Sequence, residues 1–526
     1  MTIPSAVVLD GRSLALDDVV SVARNSARVT LAPEARERLR TVRDIVDGIV
    51  ERHEVVYGIT TGFGKLSDVA IPHARLAELQ VNLVRSHAAG VGPPLGEEET
   101  RAMMLLRANV LARGHSGIRP VVVDALLAML NAGIYPPVPE QGSVGASGDL
   151  APLSHLALGL IGEGEMFRRG REGAGAAAEV LRAAGLEPVT LAPKEGLALV
   201  NGTQAHTALA ALALADGRNL WATAHVTGAA TLEALLGTPV AFDARIHEAR
   251  GQVGQLQSAA LLRALLDGSE IRESHRTNDP RVQDAYALRC MPQVHGPVLD
   301  ALDFAAGVIG RELNAATDNP LVFDDGAMLS GGNFHGQSVA MACDFLAIAL
   351  TNLAVMAERR IDRLVHPDLN QGLPPFLTSD AGVNSGFMMA QVTAAALASE
   401  CKGLSHPASV DSIPTDGGKE DVVPMAMAAA VKLRRVVQNV RHVLAIELLC
   451  AMQGIDYRRP LRSSAAIEEA YAALRAVVPS LGRDRILSPD IAAAAALIAG
   501  GALYRIAGAV ASAAVTSTAA VTSLAR

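Results

Sequence analysis

The stretch CDFLAIALTNLAVMAERRIDRLV, Cys343 to Val365, carries apolar residues at helical spacing with no proline or glycine along its length. At ~3.6 residues per turn it is long enough for about six turns, so it reads as a central helix of a bundle. Ala-rich stretches of the same habit run from Met388 to Leu404 and from Met425 to Gln453. Faces of this kind serve core or subunit packing. The bias extends outward to the whole chain: of 526 residues, 50% are apolar but only 3% aromatic. Ala, Leu and Val supply most of that apolar content, which favours helix packed closely on helix and predicts a mainly α protein.

At ~150 residues per domain the length allows three or four domains. No long Pro/Ser-rich linker or charge run divides the chain, however, and the nearest candidate, Gly170 to Ala178, is short. The expectation is one continuous fold over 1–526. The formal charge is -8, with acidic and basic residues interspersed. That excludes a basic nucleic-acid footprint and favours a small-molecule partner. Cys290, Cys343, Cys401 and Cys450 are far apart and form no C-x-x-C pair, which predicts buried free thiols rather than a disulfide scaffold or thiolate metal site. The segment MTIPSAVVLDGRSL has no basic start followed by an apolar run, so no secretory signal is expected and the location is read as cytoplasmic. Ile506 to Ala525 is free of charge over about the ~20 residues a bilayer requires. Gly508, Ser512, Thr516 and further Ser and Thr residues dilute it, so a small-residue helix or loose tail is expected, and no membrane partner.

Glycine-rich segments interrupt the helices at YGITTGFG (57–64), GSVGASGD (142–149) and SGGNFHG (330–336). Loops on a rigid scaffold are where chemistry tends to be placed. GITTGFGK has the wrong spacing for a phosphate loop, and Leu66 stands where a magnesium-binding hydroxyl is needed. A G-x-S-x-G nucleophile elbow around Ser147 would require glycine where Asp149 stands. His247-Glu248 opens an H-E pair, but Gly251 occupies the position of the second histidine, so no zinc helix and no metal is expected.

What remains is Gly142-Ser143-Val144-Gly145-Ala146-Ser147-Gly148-Asp149-Leu150-Ala151-Pro152-Leu153-Ser154-His155. Small residues let this backbone bend tightly, and Gly148 leaves its amide nitrogen free to approach the carbonyl of Ala146. Pro152 in the first turn of a helix running to about Leu160 would bring positive dipole to the loop. The segment closely resembles the signature of the histidine and phenylalanine ammonia-lyase family. There the Ala-Ser-Gly tripeptide cyclises and loses two waters, giving the electrophilic 4-methylidene-imidazol-5-one group (MIO).

The resemblance covers Tyr57 to at least Asp490 and implies an elongated helical bundle of the ammonia-lyase/fumarase-like type with active-site loops. It places an N-terminal active-site loop region in 1–110 and the MIO segment with the central bundle in 111–526. Val56 to Gly64 matches the loop whose tyrosine, here Tyr57, sits at the substrate β-carbon and is usually assigned as a base. Asn82 to His87 matches the selectivity block, where a serine-histidine pair is typical of histidine lyases and is shared by some tyrosine aminomutases; His87 is the candidate. Asn201-Gly202-Thr203-Gln204 resembles the block whose asparagine bonds the MIO carbonyl. In Gln283 to Cys290, Arg289 would pair with the substrate carboxylate, a task that suits its planar fork. Tyr286 would help form or orient the MIO, and Gln283 would lie in the pocket. Phe334, in Gly332 to His335, would pack on the prosthetic group.

The last block is Ser405 to Thr415 followed by Lys419-Glu420-Asp421. Histidine lyases carry a glutamate at Glu420, where phenylalanine or tyrosine lyases usually carry glutamine, and a carboxylate can accept an imidazole N–H. Many bacterial members have glutamine and histidine where this chain has Lys419 and Val422, and Asp416-Gly417-Gly418 replaces the usual small residues. The pocket edge is therefore expected to be more basic or more mobile.

The resemblance implies deamination of L-histidine to trans-urocanate and ammonia, with MIO formed from Ala146-Ser147-Gly148 and no external cofactor. A positioned base, Tyr57 or Glu420, would remove the β-proton while the electrophile makes departure of ammonia feasible. The family also implies a homotetramer with shared active sites, in which Tyr57, Arg289 and Glu420 come from different chains. A phenylalanine or tyrosine lyase, or an aromatic 2,3-aminomutase, is the alternative reading of the same motifs, and a noncatalytic helical scaffold is the alternative from another class.

Overall fold

The computed structural model describes residues 6–524. Residues 1–5 of the N-terminal segment read above, and Ala525 at the end of the charge-free segment, lie outside it. Twenty α-helices account for most of the described chain. The three bundle helices read from apolar spacing are present as Gln337–Val365, Met388–Leu404 and Ala426–Asp456. In the first of these Val339, Cys343, Leu346, Leu350, Ala354, Ala357, Ile361 and Leu364 are buried three or four residues apart. That is the 3.6-residue period, and each buried Leu or Ile contributes roughly 1.5–3 kcal/mol. The helix starts six residues before Cys343, because Gln337 to Ala342 continues the pattern through Val339 and Ala340.

Two compact units divide the chain, each assembled from three separated stretches. The first comprises Met1–Ala215, Ala306–Asp344 and Pro407–Lys432; the second comprises Asp216–Ala305, Phe345–His406 and Leu433–Arg526. All the strands among the described residues fall in the first unit, in four small sheets. One of these pairs Val91–Pro94 antiparallel with Pro139–Gln141, which delivers the chain into the 142–149 loop.

All four cysteines are unpaired, with Cys343, Cys401 and Cys450 buried. Burial pushes the Cys401 thiol up to about 11. By length and composition Gln337–Val365 could cross a membrane, and 67% of its most apolar window is buried within the protein, as in a bundle core. The charge-free C-terminal segment belongs to a helix, Ala502–Leu524.

In the second unit the Arg360 guanidinium and the Glu447 carboxylate form a fully buried pair. Glu447 also accepts from Thr227 Oγ1 (2.7 Å) and Thr231 Oγ1 (3.1 Å), so the carboxylate is satisfied on both oxygens. Glu233 in the same unit is less well provided. It is 1% exposed, accepts from the Ser464 amide at 3.3 Å, and has Oε2 without a partner. Burial raises its pKa to about 7. A raised carboxyl favours the neutral form in the folded state, so folding stability falls as pH rises from about 4.5 through about 7. The loss is of order 3 kcal/mol by pH 8. Glu233→Gln should therefore shift the denaturant midpoint upward at pH 8 and progressively less toward pH 5; a pH-independent difference would contradict the assignment.

Candidate active site

Helix Leu150–Leu160 begins immediately after the small-residue loop, with Pro152 in its first turn. Gly148 sits at φ +74°, and a Cβ there would lie 2.1 Å from the carbonyl oxygen of Gly202, so only glycine fits. The two glycines form an isolated parallel bridge, and the amide of Asp149 donates to that same Gly202 oxygen at 2.7 Å. Asp149 itself is fully buried. Its carboxylate accepts from Ser143 Oγ (2.8 Å), the His206 amide (2.9 Å) and His206 Nδ1 (3.0 Å). Burial works to raise its pKa, but the His206 imidazole and these donors outweigh it and hold the carboxyl below its ordinary value.

Asn201 is delivered by the short helix Glu195–Val200. That helix is pinned at its start by two ion pairs, Lys194 with Asp318 (3.0 Å) and Glu195 with Arg119 (2.7 Å), with Lys194, Asp318 and Glu195 all buried. Asn201 Nδ2 donates to the carbonyl oxygen of Ser147 at 2.7 Å. The Ser147 hydroxyl donates to Glu420 Oε1, and Thr415 Oγ1 donates to Glu420 Oε2. Ser147 is thus gripped at both its oxygens.

The four irregular segments converge here. Gly336 donates its amide to the Gly145 carbonyl at 3.0 Å, joining the 330–336 segment to the tripeptide loop. Asp416 accepts from the Lys65 amide at 3.3 Å, joining the 57–64 segment to the 405–421 segment. Asp416, Gly417 and Gly418 take φ values of +47°, +59° and +85°, which explains two glycines in a row at this turn. With helices Leu76–His87 and Glu195–Val200 they enclose a cleft of about 640 Å³ lined by Tyr57, His87, Ser147, Asn201, Phe334 and Glu420, among others. An adjoining cleft of about 550 Å³ shares Tyr57, Ser147, Phe334 and Glu420 and adds Ala146, Lys419 and Val422. Both volumes suit an amino acid.

His87 ends helix Leu76–His87. Its Nδ1 faces the Leu83 carbonyl at 2.9 Å, and a carbonyl only accepts, so the proton is assigned to Nδ1 and Nε2 is left as an acceptor. Burial lowers the His87 pKa, keeping the ring neutral. Burial, followed by the nearby Asp416, Asp318 and Glu420 carboxylates, pushes the Tyr57 phenol above its ordinary value.

Tyr57 and Glu420, expected from different chains, line one cleft within a single chain. Their loops are tied together by Asp416 and Lys65, which the distance in sequence conceals. Gln283, Tyr286 and Arg289 belong to the second unit and line neither cleft. Gln283 is exposed, Tyr286 is 70% exposed, and the Arg289 guanidinium stacks 4.7 Å from the Tyr286 ring centroid. The sequence reading also gave no role to Arg107, Asp149, His206 or Asp416. For Arg107 a signal existed, a lone cation in the apolar run AMMLLRANVLA; for His206 there was none.

The residues present fit a cyclised tripeptide: Gly148 sits where no side chain is accommodated, and Asn201 donates an amide N–H to the Ser147 carbonyl.

The family described as aromatic amino acid lyase matches residues 14–476. A histidine ammonia-lyase from Anaeromyxobacter sp. (strain K) is 58% identical over 504 residues, covering 94% of this chain and 99% of the relative. Among solved structures, histidine ammonia-lyase from Trypanosoma cruzi aligns with a TM-score of 0.89 and 45% identity, covering 96% of this chain and 95% of that one. A tyrosine aminomutase from Streptomyces globisporus aligns with a TM-score of 0.89 and 41% identity over 95% and 98% of the two chains.

Proposed function

Since the chain belongs to the aromatic amino acid lyase family, we propose that it removes ammonia from L-histidine without oxidation, giving trans-urocanate, the first step of histidine degradation. The observation that carries this reading is the pairing of Glu420 and His87 around one cleft with Ser147. An imidazole can donate its N–H to Glu420 or to His87 Nε2, whereas a phenyl ring satisfies neither.

The electrophile is proposed to be MIO formed from Ala146-Ser147-Gly148. The Gly148 nitrogen adds to the Ala146 carbonyl carbon and that oxygen leaves as water; the Ser147 hydroxyl then leaves with the Cα proton as a second water. No redox partner or external cofactor is needed. Asn201, which donates to the Ser147 carbonyl, would hold the carbonyl of the group, and Phe334 would pack beside it. The group supplies an electrophilic carbon to which the substrate adds, so that ammonia becomes a feasible leaving group. The chain's own residues do the rest. Tyr57 and Glu420 are the proposed candidates for taking the β-proton; burial, reinforced by the surrounding carboxylates, favours the protonated phenol of Tyr57.

We infer further that the enzyme is a cytoplasmic homotetramer in which Gln283, Tyr286 and Arg289 serve a cleft of a neighbouring subunit, Arg289 holding the substrate carboxylate. The exposed apolar side chains Met341, Phe345, Ile348 and Val355 along helix Gln337–Val365 support a subunit interface. Native mass should correspond to four chains; a monomer with full activity would sink the shared-site reading.

A substrate panel tests the activity. Urocanate, cinnamate and coumarate are to be followed by ultraviolet absorbance from L-histidine, L-phenylalanine and L-tyrosine under identical conditions. Urocanate should dominate by about a hundredfold, because two unmatched polar groups each cost ~1–3 kcal/mol with the wrong ring. Comparable cinnamate or coumarate would assign the chain to another branch, and a β-amino acid product would make it an aminomutase.

A further inference from the structure

Arg107 lies on helix Glu97–Ala112 with its guanidinium fully buried. It touches neither cleft, yet all its hydrogen bonds go to the strip that carries Asn201. Nη1 and Nη2 both donate to the Asn201 carbonyl, at 2.8 and 2.9 Å, and Nη1 donates also to Gln204 Oε1 at 2.8 Å. Gln204 passes the constraint on by donating to Thr317 Oγ1 at 2.8 Å. Between these anchors Gly202 is held at φ +146°, where a Cβ would meet Gln204 Oε1 at 2.5 Å and Arg107 Nη1 at 2.8 Å. These contacts hold the strip in the conformation seen. In it the Asn201 amide is aimed at the Ser147 carbonyl, and the Gly202 carbonyl receives the Asp149 amide on the far side of Gly148.

From this the geometry points to Arg107 as a positioning residue for cyclisation: it fixes Asn201 and Gly202, which in turn press Ala146-Ser147-Gly148 into the conformer that closes. The proposal rests on the reading that this tripeptide cyclises. A hydrogen bond from Asn201 to the Ser147 carbonyl stabilises the Gly148 amide nitrogen as its proton is lost during attack on Ala146, and the later loss of water from Ser147 leaves that carbonyl in place. A strip displaced by a few tenths of an ångström removes both effects, since near-attack geometry is steep in distance. Lysine would supply the charge but not the two-pronged fork on one oxygen, so Arg107→Lys is the informative substitution.

Arg101 on the same helix provides the control. It is also buried, and it donates only to the backbone carbonyls of Val22, Ala23 and Leu130, far in sequence from the tripeptide strip. Intact mass of the purified, folded, full-length protein should show wild type and Arg101→Lys completely lighter by two waters. Arg107→Lys and Asn201→Ala should each leave half or more of the chains at full or one-water-short mass, and the double variant should be no worse than Asn201→Ala alone. Complete dehydration in folded Arg107→Lys would overturn the proposal, as would an equal defect in Arg101→Lys, which would reduce the effect to packing. If Arg107→Lys does not fold, Asn201→Ala still decides: complete dehydration in that variant breaks the path through which Arg107 is proposed to act. A wild type that is active at full mass would instead remove the cyclisation reading itself, an outcome distinct from failure of the Arg107 proposal.

Discussion

Ser147→Ala is expected to give a folded chain that cannot lose the second water and whose turnover of L-histidine falls by about 10⁴-fold or more, the scale on which enzymes lose rate when a covalent group is removed. The substitution deletes a single oxygen, and Ala146, Gly148 and the Gly148–Gly202 bridge do not depend on it. Folding should therefore survive, with Glu420 losing one donor and keeping Thr415. Without the Ser147 hydroxyl the second water cannot leave, so no methylidene carbon forms. Circular dichroism should match wild type while urocanate formation is lost. Retention of even a tenth of the activity would mean that the electrophile lies elsewhere.

The second large effect concerns Glu420. Glu420→Gln keeps the shape and the contact to Ser147 but removes the charge, so turnover of histidine should fall by about 10²–10⁴-fold if Glu420 takes the β-proton. If its part is confined to the imidazole, the fall should be about tenfold to a hundredfold and appear mainly in KM. Tyr57→Phe separates the two cases, because the base is whichever substitution lowers kcat the more. In either case the preference for histidine over phenylalanine should narrow, since glutamine leaves a neutral group facing the ring. An unchanged preference would take Glu420 out of substrate recognition.

The helices were legible because their apolar spacing continues for four turns or more, as in Gln337–Val365, and Met388–Leu404 was found to the residue. The small sheets were not, since strands such as Leu321–Val322 and Met328–Leu329 are two residues long and leave no alternation to read. Tyr57, His87, Ala146, Ser147, Asn201, Phe334 and Glu420 meet because their motifs lie on loops and helix ends that one unit folds together. Gln283, Tyr286 and Arg289 illustrate the limit: a motif says what a side chain can bind but not which cleft receives it. Arg107, Asp149 and His206 were passed over for a different reason. Arg107 and Asp149 bond the carbonyls of Asn201 and Gly202, and His206 bonds Asp149, all across long separations in sequence, and only Arg107, a lone cation in an apolar run, left a local sign. The Asp416-Gly417-Gly418 departure, by contrast, has a local cause in three successive left-handed backbone angles.

The most direct test of the account is the mass of the proteolytic fragment spanning Gly142 to His155 from wild-type enzyme that has been shown to release urocanate. The account predicts that this fragment alone is lighter by two waters, with the loss localised to Ala146-Ser147-Gly148. A fragment of full mass from fully active enzyme would contradict it.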